Sequence, residues 1–271
     1  STTSGTTRAS APRIAASGAA VYICWTDRQN SPSGLGSIRF ARSVDAGAFF
    51  VDRNRRIDSH ATLRALGSPA IAADGQDVWI AWADNRTGAF DVWLRRSTNL
   101  GRSFGNAIRL SQLPSGRVAS DLQIASSGNN VYVVWSDERS GLPTVYCNRS
   151  TDRGRTWQQP ARRIASGPLT RAAALPQVIA RANSVCIAWR DARNGAPDIY
   201  AQRSLDAGRT WLPQDVRVNT DPAGRSFADQ PRLAADGSSV HVVWTDSRSG
   251  QTDIHSNRSL DFGGTWLTHD I

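Results

Sequence analysis

The residues best suited to chemistry in this chain are aspartates and arginines set two positions apart. Asp84/Arg86, Asp137/Arg139, Asp191/Arg193 and Asp246/Arg248 each read D-x-R, and Asp27/Arg28 is a contracted version. A second set of arginines, Arg8, Arg64, Arg117, Arg171 and Arg225, recurs at intervals of 56, 53, 54 and 54. Aspartate pairs can act as acid and base in glycoside hydrolysis, and the guanidinium fork suits carboxylates and other oxyanions. All 32 basic residues are Arg, Glu138 is the only Glu among 23 acids, and the formal net charge is +9. Two readings of the arginines follow. The Asp–Arg pairs lock the structure within or between repeats, or surplus guanidiniums line a mouth that attracts anions.

Other chemistries are poorly supplied. His60, His241, His255 and His269 fall at unrelated positions and show no metal-ligand spacing. Phosphate-loop and nucleophile-elbow motifs are absent, so no metal or cofactor is expected. Cys24, Cys147 and Cys186 sit in apolar runs and read as buried thiols. The arginines are dispersed by repeat without interleaved exposed aromatics, which argues against nucleic-acid binding. Phe90 and Phe227 are the aromatics placed where a sugar could stack. No run of about 18 apolar residues exists, so no membrane-spanning helix is expected. The chain contains no Met and is expected to be a processed segment of an exported bacterial protein, extracellular, periplasmic or on the cell surface.

The elements that must position these residues come in five copies. A segment of the type V-x-V-x-W-x-D places Trp25, Trp82, Trp135, Trp189 and Trp244 at spacings of 57, 53, 54 and 55. A second motif follows each, S-V-D-A-G-A-F-F, S-T-N-L-G-R-S-F and three of the form S-x-D-x-G-x-T-W, with Ser43, Ser97, Ser150, Ser204 and Ser259 spaced 54, 53, 54 and 55. Each unit reads as four short strands. In the second copy, strand A begins at Pro69 and turns through Asp74-Gly75 into strand B at Asp77. Strand C spans 91–96, and strand D comes after the second motif. Strand B is apolar on both alternating faces and should be buried on two sides. The expected fold is an all-β, five-bladed β-propeller with four antiparallel strands per blade. It forms a single domain over 1–271, with repeats at about 1–55, 56–109, 110–163, 164–218 and 219–271. The chain stops almost where it started one circuit later, so a closed ring is expected.

The second motif resembles the Asp box of the sialidase-like superfamily, and the likeness extends upstream to Pro12-Arg13-Ile14 and Thr26-Asp27-Arg28. The resemblance implies a structural role for the boxes: Ser43/Asp45, Ser97/Asn99, Ser150/Asp152, Ser204/Asp206 and Ser259/Asp261 bond the backbone of the C–D turn. It also implies, for a sialidase, three arginines on the substrate carboxylate, an acid/base Asp, and a Tyr activated by a Glu. Arg13 and Asp27 match the first Arg and the Asp by motif position, but no Tyr–Glu pair is found. The expected function is therefore a non-catalytic module that binds an anionic or polar glycan or a protein partner. Its ligand would be held by the D-x-R residues and by Arg8, Arg64, Arg117, Arg171 and Arg225. A glycoside hydrolase acting on acidic sugars, and a purely structural domain, are the alternatives. The oligomeric state is left open.

Overall fold

A computed structural model describes residues 9–28, 36–58, 67–168 and 170–271. Among them there is no helix, and every regular element is a strand. Five antiparallel sheets follow one another along the chain. The first holds β1 (Ala9–Ser17), β2 (Ala20–Asp27), β3 (Ser37–Ser43) and β4 (Val51–Arg56). The second holds β5 (Ala70–Asp74), β6 (Asp77–Asp84), β7 (Asp91–Ser97) and β8 (Ile108–Arg109). β9 (Ala119–Ser127), β10 (Asn130–Asp137), β11 (Thr144–Ser150) and β12 (Arg162–Arg163) form the third. The fourth comprises β13 (Ala173–Arg181), β14 (Ser184–Asp191), β15 (Asp198–Ser204) and β16 (Val216–Arg217). The fifth has three strands, β17 (Asp229–Asp236), β18 (Ser239–Asp246) and β19 (Asp253–Ser259). Four strands were expected there; instead Ile271 alone exchanges both backbone hydrogen bonds with Ser256, at 2.7 and 2.9 Å, along the outer edge. Within each sheet, strands adjacent in sequence are adjacent in space, as short hairpin connections dictate. The result is a propeller-like all-β fold.

The chain divides into two compact units, 1–124 and 125–271, with the boundary inside β9. In the first unit, Ile71 on β5 packs against Cys24, Ile38 and Phe40 of the first sheet. In the second unit, Val178 on β13 does the same to Val134, Val145 and Cys147, and Leu233 on β17 packs against Ala188, Ile199 and Ala201. One aliphatic side chain from each of β5, β13 and β17 thus fills the face of the preceding sheet, worth about 1.5–3 kcal/mol per buried Ile, Val or Leu. Burial on both faces is complete for β6 and β10. It is not for β18, where His241 and Val243 are exposed.

Candidate functional site

Four of the five B strands, β6, β10, β14 and β18, end in a compact latch built from Trp, Asp and Arg. Trp and Asp two residues apart on a strand point to the same face, and there the indole N–H donates to the carboxylate. Trp82 reaches Asp84 at 2.8 Å, Trp135 reaches Asp137 at 2.7 Å, Trp189 reaches Asp191 at 3.0 Å and Trp244 reaches Asp246 at 3.1 Å. The chain then turns, so the Arg two residues on donates its backbone N–H to the same carboxylate. Its guanidinium returns as well: Arg86 and Arg193 bond Asp84 and Asp191, and Arg139 and Arg248 reach Asp137 and Asp246 at 2.6 Å. The guanidiniums of Arg86, Arg139 and Arg193 also lie 4.1–4.2 Å over the rings of Trp93, Tyr146 and Tyr200, a favourable cation–π arrangement. All four aspartates are buried. The pairs form within one turn of one sheet rather than across sheets.

Two acids join this latch in the last two copies. Asp215 and Asp270, each four residues after the Trp of its second motif, contact Arg193 and Arg248 at 2.7 Å. The backbone N–H groups of Ser166 and Thr220, about 50 residues earlier in the chain, donate to these same acids. Their spacing of 55 keeps step with the repeat, a signal in the sequence outside the D-x-R motif. The first copy departs from the pattern. Asp27 is buried with Arg39 Nε at 3.9 Å, and Trp25 is only half-buried. Arg13 turns its guanidinium to the Pro12 carbonyl at 3.0 Å and lies beside Cys24.

The second set of arginines behaves differently. Arg117, Arg171 and Arg225 are exposed, and among the described residues none has a carboxylate within 4 Å. Arg8 and Arg64 lie outside the described residues, as does His60.

The S-x-D turns are closed by their own side chains. Ser Oγ donates to the side-chain Oδ1 two residues on, at 2.5–2.9 Å, in the turns of Asp45, Asn99, Asp152, Asp206 and Asp261. That Oδ1 in turn accepts the backbone N–H four residues further: that of Phe49, Ser103, Thr156, Thr210 or Thr265. For Asp152, burial would raise the carboxyl, but bonds from Thr156, Ser150 and Arg155 outweigh it and bring it down to about 2.

All four tyrosines of the chain are accounted for, and all are buried. Tyr146 and Tyr200 hydroxyls bond Ser140 and Asn194. Desolvation by burial pushes Tyr22, Tyr132 and Tyr200 above the usual phenol range. No tyrosine is placed to act as a nucleophile. The three cysteines are equally sealed, and burial pushes each thiol up to about 12.

What the repeat framework shares among copies holds the sheets; a site should lie where one copy departs from the rest. Such a departure sits at the rim between the fourth and fifth sheets. The residue between Trp and Asp is Thr26, Ala83, Ser136 and Thr245 in four copies but Arg190 in the fourth. The residue entering strand A is Ser10, Gly67, Ser120 and Ala174 in four copies but Asp229 in the fifth. These two unlike residues meet: Arg190 Nε lies 3.3 Å from Asp229 Oδ1, both about a quarter exposed. Arg190 also covers the ring of Phe227 at 5.2 Å, and that ring is 49% exposed. Gln230, next to Asp229, takes a positive φ of 53° at a β-bulge, as Ala11 and Leu175 do at the same bulge of the first and fourth sheets, so the backbone here is shared framework and the side chains alone set this rim apart. Phe90, by contrast, is held in a backbone bridge to Val118. Asp229, Arg190 and Phe227 form a carboxylate, a cation and an apolar platform within reach of solvent.

No protein-family model matches the chain, and no curated protein does. Its fold does recur in solved structures. A Hadza microbial sialidase, Hz136, superposes with a TM-score of 0.59 at 18% identity, over 96% of this chain and 57% of that one. The Penicillium chrysogenum α-L-arabinanase complexed with arabinobiose gives 0.62 at 12% identity, over 96% and 80%. The Trypanosoma rangeli sialidase in complex with sialic acid gives 0.57 at 14%, over 93% and 46%. The chain thus spans little more than half the length of the first sialidase and less than half of the second. Identities this low establish a shared fold. They also correct the expectation of a non-catalytic binding module, because the proteins that share the fold along nearly the whole chain are glycan-cleaving enzymes.

Proposed function

We propose that this protein is a glycoside hydrolase acting outside the cytoplasm on an acidic glycan, with its five sheets serving as the blades of one repeat domain. The observation that carries the reading is the fold likeness to a sialidase and an arabinanase along 96% of the chain. Charge supports the acidic substrate: the net charge is +9, and Arg117, Arg171 and Arg225 stand exposed with no carboxylate within reach among the described residues.

The buried tyrosines exclude a tyrosine nucleophile, so cleavage would run through carboxylates, one as acid and another as base or nucleophile. Asp229 is the carboxylate we assign to that work. Arg190 orients it and balances its charge, and Phe227 offers an apolar face to a sugar ring. Fluorogenic sialoside, uronide and arabinofuranoside substrates test the proposal. The acidic glycosides should be hydrolysed, and Asp229→Asn should lower kcat by about 10²-fold or more with an unchanged melting curve. Folded wild-type protein that turns over none of the three would refute it.

A further inference from the structure

Far from the Asp229 rim, the second unit carries a hollow of about 560 Å³, within the range of small-molecule sites. It opens between the β9–β10 turn of the third sheet and the β13–β14 and S-x-D turns of the fourth, and every residue lining it lies in 125–271. Asn183 immediately precedes β14 and Arg190 comes seven residues later, about 23 Å away at the rise of a strand. The walls are fixed by hydrogen bonds between the two sheets. Ser127 Oγ accepts the Ala182 N–H at 2.7 Å, and Asn130 Nδ2 donates to the Ala182 carbonyl at 3.0 Å and to Asn183 Oδ1 at 3.2 Å. Asn130 is buried, and its position holds Ala20, Asp77, Ser184 and Ser239 in the other copies. The amide is therefore peculiar to this junction.

What these walls leave over is polar. Among the described residues, the Asn183 Nδ2 group, the Asn129 amide, the Thr151 hydroxyl and the Arg209 guanidinium have no protein partner. Asp206 accepts from Ser204 and Thr210 of its own turn at 2.7–2.8 Å. A second hollow of about 440 Å³, towards the fifth sheet, shares Ala182 and Leu205 with the first, and Leu205 stands 54% exposed between them. We propose that the two hollows form a second glycan-binding site, which takes consecutive sugar units of one oligosaccharide. Amides and hydroxyls both donate and accept, as neighbouring sugar hydroxyls require, and the Leu205 side chain offers an apolar surface to the C–H face of a ring. The first hollow holds one cation, Arg209, and one anion, Asp206, so it reads hydroxyl groups rather than charge. Binding there is independent of the role assigned to Asp229.

Isothermal titration calorimetry of the whole chain tests this, with arabinan, xylan and galactan hexasaccharides as neutral probes and a galacturonan hexasaccharide as the acidic one. At least one neutral hexasaccharide should bind wild type and Asp229→Asn equally, and high salt should change little, since hydroxyl contacts are not screened. Its monosaccharide, which reaches one hollow only, should bind about tenfold more weakly or worse. Asn183→Ala and Arg209→Ala should each weaken binding about fivefold or more, the effect of one lost hydrogen bond. Neither should alter the melting curve: both side chains are exposed, and in Asn183→Ala the Asn130 amide keeps its bond to the Ala182 carbonyl. Binding of none of the four probes overturns the proposal. So does binding confined to galacturonan and lost at high salt, or binding that Asp229→Asn abolishes while Asn183→Ala and Arg209→Ala leave it intact. Binding retained in a protein that hydrolyses no glycoside would refute the catalytic reading alone.

Discussion

Removing the carboxylate of Asp137 should unfold the second unit far more readily than removing any exposed acid. Asp137 is 1% exposed and serves three donors: the Trp135 indole at 2.7 Å, the Arg139 backbone N–H at 3.1 Å and the Arg139 guanidinium at 2.6 Å. In Asp137→Ala the indole, fully buried, loses its acceptor, which costs about 1–3 kcal/mol. The guanidinium loses its counter-ion. Breaking a fully buried pair costs about 3–5 kcal/mol, but Arg139 keeps 18% exposure and its contact with the Tyr146 ring, which reduces the penalty. Together these give a loss of about 3–5 kcal/mol, or about 10 °C in melting temperature for a unit of this size. Asp137→Asn keeps one acceptor oxygen and should lose about half as much. Urea unfolding followed by tryptophan fluorescence reads the difference, because Trp135 is itself a reporter. A change below about 1 kcal/mol for Asp137→Ala would refute the latch as the force that holds the end of strand B.

Two further outcomes follow from groups the fold has sealed or charged. The three thiols should be unreactive to a disulfide reagent in the native protein and all react after denaturation, since each is buried and its pKa is pushed up to about 12; rapid native labelling would contradict their placement. The Asp152 carboxyl is held at about 2, below its unfolded value near 3.9, so its contribution is present above about pH 4 and lost as pH falls towards about 2. Asp152→Asn should fold, because Asn99 already makes the same turn with Ser97 and Ser103. The stability advantage of wild type over this variant should shrink across that window; a difference constant from pH 7 to pH 2 would contradict it.

The repeat, the strand order and the S-x-D turns were legible because each depends on local spacing: two-residue alternation for strands, Gly and Asp at fixed offsets for turns. The Trp–Asp hydrogen bond is equally readable, since residues two apart on a strand share a face. Arg190 and Asp229 are visible when the five copies are compared position by position. Their meeting is not, because it depends on how β17 packs against the fourth sheet.

The central claim is that the repeated Asp–Arg latches hold the fold while the rim where copies differ performs hydrolysis. The most direct test compares kcat/KM on one acidic fluorogenic glycoside for wild type, Asp229→Asn and Asp137→Asn, each normalised to its folded fraction. The account predicts a loss of about 10²-fold or more for Asp229→Asn and little change for Asp137→Asn. Equal losses in both variants, or undiminished turnover in Asp229→Asn, would contradict it.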